Sequence, residues 1–253
     1  MENIILYPLK SKLIIAGKEF TQILSDALKN SSLKLCTNDV IVLAETPVAI
    51  AEGRIVRLDD IDPSDKAKLL SKNYSLDPRF AEVILQESDI IHGGVSYTLL
   101  CEKDGFLSEN AGVDESNAPE GFVVLSPTCD YVETIRKNLE KQYNVKIGVI
   151  ITDSRTIPLK RGVTGVATVV SGMEAISDER GKSDLYGRKL KMTFRSIADD
   201  LAAAAQLLIG ESSEMVPAVL IRGADIQLTE NPQNEAHMPA DKCVYMGALK
   251  KYE

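Results

Sequence analysis

Ile147-Gly-Val-Ile-Ile-Thr-Asp-Ser-Arg-Thr-Ile-Pro-Leu-Lys-Arg-Gly-Val-Thr-Gly165 is the stretch whose reading decides the fold of this chain. Its first part, Ile147 to Ile151, is apolar without alternation, the pattern of a strand buried on both faces. It turns polar at Thr152-Asp153-Ser154-Arg155 and basic at Lys160-Arg161, beside Gly162 and Gly165. A carboxylate delivered by the end of a rigid strand has little positional freedom, which is what a metal site requires. The basic, glycine-punctuated segment behind it offers an anion both backbone and side-chain donors. The plain alternative is a strand end whose Asp153 bonds its own turn while Lys160 and Arg161 are solvated.

The rest of the chain narrows the choice. Its 253 residues suffice for one large domain or two interwoven lobes. A formal net charge of -8 excludes the basic face that a duplex nucleic-acid binder needs, but leaves room for a nucleotide held by local cations and a metal. No apolar run reaches the roughly 20 residues of a membrane span. Met1-Glu2-Asn3 ahead of Ile4 to Pro8 lacks the basic start of a signal peptide and reads as the approach to a first strand, so a cytoplasmic protein is expected. Cys36, Cys101, Cys129 and Cys243 are scattered and read as reduced thiols, and His92 and His237 are the only histidines. With so few nitrogen and sulfur ligands, a metal here is expected on oxygens, as Mg²⁺ or Mn²⁺.

Pattern along the chain gives mixed α/β structure. Strands are expected at 4–7, at Asp39–Ala44 (ending at Glu45-Thr46-Pro47), at Val95–Glu102, at Phe122–Leu125, at Val166–Val170 and at Pro217–Ile221. Helical spacing runs from Phe20 to Leu28 and from Ile197 to Ile209, the latter closed by Gly210. Asp62-Pro63 and Asp77-Pro78 read as helix starts with Asp as N-cap, and Asp130 with Glu133 as a capping-box start to a helix through Tyr143. Lys103-Asp104-Gly105 is a hairpin turn, Ser183–Arg188 a compact polar turn, and Gln227–Ala240 a surface excursion. No repeat or linker marks a boundary, so residues 1–253 read as one unit.

Several blocks then stand in a characteristic order: Ala51-Glu-Gly-Arg54, Asn110-Ala-Gly-Val-Asp-Glu-Ser-Asn117, Gly148-Val-Ile-Ile-Thr-Asp153, Arg161-Gly162, Asp184-Leu-Tyr-Gly-Arg188 and Pro217-Ala-Val-Leu-Ile-Arg-Gly223. In this order they resemble the coenzyme F-420 gamma-glutamyl ligase (CofE-like) family, from Tyr7-Pro8 through Arg222-Gly223. The resemblance implies a two-lobed α/β subunit in an intertwined homodimer. It also implies a GTP-driven ligase that adds L-glutamate to the deazaflavin F-420-0 through an acyl phosphate. Two Mg²⁺ or Mn²⁺ ions are implied, with K⁺ as a further candidate. Asp114, Asp153, Ser154 and Glu211 match metal ligands, with Asp153 and Arg161 expected at the chemistry. Thr46, Asn117, Ile209, Gly210, Ser212 and Ser213 match nucleotide contacts. Arg155, Lys160 and Arg161 are expected to hold phosphate or carboxylate oxygens.

The chain also departs from the family's pattern. Glu45-Thr46 stands where the family usually has Ser-Thr, Ile50 where a lysine contacts the nucleotide, and Ser11 to Ile15 replaces the usual entry segment. The segment after Asp153, Ser-Arg-Thr-Ile-Pro-Leu, is itself a variant. GTP and ATP therefore both stay open, as do a paralogue acting on another acceptor and a metal- or nucleotide-binding homologue without ligase activity.

Overall fold

A computed structural model of the chain describes residues 3–231 and 236–249. In chain order it opens with β1 (Ile5–Leu9), α1 (Phe20–Asn30), β2 (Val40–Ala44), α2 (Glu45–Glu52) and β3 (Ile55–Arg57). There follow α3 (Asp65–Tyr74), α4 (Pro78–Glu87), β4 (Ile90–Val95), β5 (Thr98–Lys103), β6 (Phe106–Glu109), β7 (Phe122–Val124) and α5 (Cys129–Tyr143). The last elements are β8 (Gly148–Thr156), β9 (Val163–Ser171), β10 (Ile176–Asp178), β11 (Phe194–Ser196), α6 (Ile197–Ile209), β12 (Ala218–Arg222) and α7 (Val244–Leu249). The architecture is mixed α/β. Two compact units divide it, one formed by Met1–Val56 with Asp114–Gln233 and the other by Arg57–Val113 with Asn234–Glu253.

The first unit is built on a five-stranded sheet in the order β1-β12-β2-β8-β9. β2 and β8 run parallel, and the other neighbours are antiparallel. Alternate residues of each central strand feed two cores, as a period of two demands. Ile41, Leu43, Val149, Ile151 and Leu220 pack with Phe20, Leu24, Val132, Ile135 and Leu139 of α1 and α5. Val40, Val42, Ile150, Val219 and Ile221 pack with Ala198, Leu201, Ala202 and Ala205 of α6. This double burial is why the first half of β8 is apolar throughout. Pro8 is tolerated because β1 is an edge strand, where a missing N–H costs no ladder bond on the open side.

In the second unit, α3 and α4 accompany an antiparallel sheet in the order β4-β5-β6. Asp104 (φ 52°) and Gly105 (φ 79°) close the β5–β6 hairpin at the expected turn. Asn110 Oδ1 accepts from Leu99 N at 2.8 Å, so this polar side chain anchors β5.

Four local expectations need correction. Glu45-Thr46-Pro47 does not trail off from β2 but begins α2, and Pro47 sits in the first turn, where its missing N–H has no helical partner to lose. The cap of α3 is Ser64, whose Oγ accepts from Ala67 N at 3.2 Å, two residues after Asp62. The cap of α5 is Thr128, accepting from Tyr131 N at 3.2 Å, and the Glu133 carboxylate bonds Arg136 and Ser171 rather than a cap N–H. Val95–Glu102 is not one strand: the chain reverses at Ser96-Tyr97, with Tyr97 at φ 70°, between β4 and β5. Residues 227–231, the first described part of the Gln227–Ala240 excursion, are tied down within the first unit, where Gln227 O accepts from Glu174 N and Gly172 O from Thr229 N. Residues 232–235 lie outside the described residues.

Candidate active site at the carboxyl edge of β2 and β8

Because β2 and β8 are parallel, both present their carboxyl ends at the same edge, with Ala44 opposite Thr152. Ligand sites of open α/β sheets form outside such edges. The next residues are Glu45, which opens α2, and Asp153, which continues β8. Thr46 follows in the first turn of α2, half-buried, where backbone N–H groups lack helical partners.

Asp153 is held on both oxygens. Oδ1 accepts from Ser154 N and Oδ2 from Arg155 Nε, each at 2.8 Å. The Arg155 side chain is 14% exposed. Burial raises the Asp153 pKa above the ordinary carboxylate value and the charge of Asp114 adds to the rise, against the opposing pull of Arg155 and the Ser154 N–H. Glu45 is buried and accepts from Thr168 Oγ1 at 2.8 Å. Its pKa is pushed up to about 7, first by burial and then by the Asp153 charge, with Thr168, Ser126 and Arg155 pulling the other way. Thr168 owes its position to an irregularity of the β8–β9 ladder, where Ile151 pairs with Val169 and Thr152 with Ala167. The extra residue of such a bulge is released from the ladder to aim its side chain elsewhere.

Successive strand residues point to opposite faces, so Ser154 leaves β8 on the side away from Asp153. Its hydroxyl donates to Glu211 at 2.9 and 3.0 Å and accepts from Gln206 Nε2 at 2.8 Å. Gln206 also donates to the Glu211 carboxylate and to Gly210 O. The partial negative charge of a helix C-terminus together with Glu211 makes the end of α6 a place for a cation. Gly210, at φ 76°, lets the chain curl tightly: a Cβ there would fall 2.2 Å from Glu214 Cδ. Glu214 in turn accepts from Ser212 N at 2.8 Å, while Ser212 and Ser213 are exposed and Ile209 is half-buried.

The remaining candidates are distributed as follows. Asp114 forms a two-bond bridge with Val124 and accepts from Ser116 N at 2.8 Å. Asn117 is exposed, at φ 56°. Lys160 and Arg161 are exposed on the β8–β9 connection. Ile50 is buried with Ala49 and Val124, with Ile14, Ile55 and Ala118 against them, so this position is core in this chain. The candidate ligands thus fall into two sets: Asp153, which feels the charges of Glu45 and Asp114, and Ser154, which is hydrogen-bonded to Glu211. Among the described residues, no three His, Cys, Asp or Glu side chains form a ready-made metal cluster.

Both groups fit a hard divalent cation in donor chemistry. They offer carboxylate and hydroxyl oxygens, and Asp153 and Glu45 are carboxyls whose charge is disfavoured first by burial and then by a neighbouring carboxylate, a cost that such an ion would offset. Sequence reading alone missed Gln206 and Thr168. Gln206 had one visible signal, an amide in the last turn of a helix otherwise composed of Ala, Leu and Ile around it. Thr168 had none, because its partner is 123 residues away.

Comparison with known proteins places this geometry in a family context. The profile described as F420-0:Gamma-glutamyl ligase matches residues 8–223. A protein of Methanopyrus kandleri named Coenzyme F420:L-glutamate ligase is 39% identical over 224 residues, covering 87% of this chain and 86% of its own. Proteins of the same name from Methanocaldococcus jannaschii and Methanothermobacter thermautotrophicus are also 39% identical, covering 82% and 83% of this chain and 84% and 85% of their own.

Proposed function

Because this chain belongs to the F420-0:gamma-glutamyl ligase family, and is thereby an enzyme of the ligase class, we propose that it joins L-glutamate to coenzyme F-420-0 in amide linkage at the expense of GTP. The observation that carries this reading is the family match across 8–223, which spans both oxygen groups at the edge of β2 and β8. The acceptor carboxylate would take the γ-phosphoryl group, releasing GDP. The glutamate amine would then attack the acyl phosphate carbon, losing a proton and expelling inorganic phosphate. Two divalent cations, Mg²⁺ or Mn²⁺, would supply neutralisation of the phosphate charge.

The residues of the chain divide the remaining work. Asp153 and Asp114 on one side of β8, and Ser154 and Glu211 on the other, would hold the cations. Thr46, Asn117 and the turn from Ile209 to Ser213 would seat the nucleotide. Arg155, Lys160 and Arg161 would meet phosphate or carboxylate oxygens as charge-assisted donors. The same reading makes the enzyme a cytoplasmic homodimer, which light scattering on purified protein would test. No helix among the described residues is long and apolar enough to cross a membrane.

A second reading stands on one observation. Ile50 is core and Glu45 is a buried carboxyl, so the contacts near the nucleotide differ from those of a lysine and a serine. This favours a paralogue that takes ATP or another acceptor. A mass-spectrometric turnover assay separates the two: purified protein, Mn²⁺ or Mg²⁺, L-glutamate and F-420-0, with GTP and ATP in parallel. A glutamate-sized mass gain with GTP supports the first reading, a gain with ATP alone the second. No gain with either nucleotide would overturn F-420-0 glutamylation.

A further inference from the structure

Arg155 occupies an unusual place in this site. Its Nε donates to Asp153 Oδ2 at 2.8 Å from a side chain only 14% exposed, while the other Asp153 oxygen is taken by Ser154 N. Two residues apart on one strand, Asp153 and Arg155 share a face, so the pairing needs no long-range fold event. On that face lies Glu45, a buried carboxyl fixed by Thr168 and close enough to feel the charges of both Asp153 and Arg155. The guanidinium thus supplies positive charge to both carboxyls of this face.

We propose that Arg155 is a resident counter-cation, competing with the divalent ion for the Asp153 carboxylate and turning to the anionic substrate when that ion loads. The proposal rests on the ligase reading above, with Asp153 as a metal ligand. Arg155 is then a positioning residue before loading and a substrate-phosphate or substrate-carboxylate donor after it. One exchange couples the two events, so the anion donor is presented only to a metal-loaded site. Arginine suits both states, since its fork of donors matches carboxylate and phosphate oxygens alike.

The test uses the full chain, stripped with chelator and titrated with Mn²⁺, free ion being read by electron paramagnetic resonance. Removing the competitor in Arg155→Gln is expected to tighten Mn²⁺ binding about tenfold, the scale of one lost charge contact, while the metal-free protein melts lower. Arg155→Lys, which keeps the charge but loses the fork, is expected to fall between. A packing role for Arg155 would weaken Mn²⁺ binding or leave it unchanged, and either result overturns the proposal. Wild-type protein gives a readout that needs no variant to fold. The Arg155 Nε–H nuclear magnetic resonance signal, protected in the metal-free state, is expected to lose its protection on saturation with Mg²⁺. A signal that stays protected overturns the exchange. If wild-type protein binds no Mn²⁺ at all, the metal reading of Asp153 fails and the proposal with it. Unchanged affinity between wild type and variants sinks the proposal alone.

Discussion

The two ends of β8 both gather carboxylates around an arginine, and they treat them in opposite ways. At the amino end, Arg136 is 1% exposed and donates to Glu133, Glu140, Glu230 and Ser171. Lys146 adds a second cation, donating to Glu140 at 2.9 Å and to Glu230. Hydrogen bonds from Arg136 hold the Glu133 carboxyl down at about 2 against the cost of burial, with Ser171 and Lys137 helping. At the carboxyl end, Arg155 pairs with Asp153, and the nearby Glu45 carboxyl rises to about 7. Charge is closed at one end and left in excess at the other. A buried pair without excess charge is structure, whereas crowded carboxylates in a strand-edge crevice mark a site.

The largest expected effect separates the ends by function. Asp153→Asn is expected to lower kcat/KM by on the order of 10⁴-fold through loss of metal and phosphate charge compensation. Because it removes a crowded charge, the folded state should not suffer, and thermal unfolding of the metal-free protein is expected at or above the wild-type midpoint. A large loss of stability in this variant would erase the contrast between the two ends. Arg136→Leu is the mirror experiment. It removes the buried cation of Glu133 and Glu140, leaving them only the exposed Lys137 and Lys146, and is expected to destabilise by about 3 kcal/mol in denaturant unfolding. Whatever protein remains folded should turn over normally per folded molecule.

The pH dependence of stability sharpens the same comparison. Glu45 has a folded-state pKa near 7 against an ordinary 4.5, so its contribution is complete below pH 4.5 and is lost as pH rises through 7. Glu133 is depressed to about 2, so its contribution is present above 4.5 and is lost as pH falls through 2. In metal-free protein, Glu45→Gln is expected to flatten the limb between pH 4.5 and 7, worth about 3 kcal/mol. Glu133→Gln should leave that limb intact and flatten the acid limb instead. Denaturant midpoints measured from pH 2 to 8 decide this, and a Glu45 variant with an unchanged neutral limb would place the site's excess charge elsewhere.

What the sequence made legible follows the range of the interactions. The apolar run from Ile147 to Ile151 announced a doubly buried strand because both of its faces really are core. Ile197 to Ile209 was bounded correctly because helix length and the closing Gly210 are local signals. Asp77 caps α4 as its Asp-Pro pair implies, whereas the cap of α5 lies elsewhere and Glu133 has other partners. Glu133 has the spacing of a capping box with Asp130, yet its carboxylate is taken by Arg136 and by Ser171, 38 residues away. The acidic members of the site were visible as residue types at a strand end. Their arrangement was not, because it depends on the ladder irregularity that aims Thr168 at Glu45 and on α6 ending beside Ser154.

Arg161 provides the smallest and most discriminating effect. It is exposed on the β8–β9 connection, seven residues beyond Ser154 and outside the ladder that fixes Asp153. An exposed residue without a core role should change stability by no more than about 0.5 kcal/mol when cut to alanine. If it serves as a donor to a substrate anion, Arg161→Ala is expected to lower kcat/KM about tenfold, the scale of one charge-assisted hydrogen bond partly screened by water. Added salt should shrink the gap between variant and wild type, since screening weakens the contact in the native enzyme. The outcome also bears on how far the site extends along β8. A tenfold loss would carry it past the strand end into the connection, so that the basic segment and the acidic pocket act on one substrate. Unaltered kinetics would confine it to the strand edge, with Arg155 as the cation that β8 itself contributes to the chemistry.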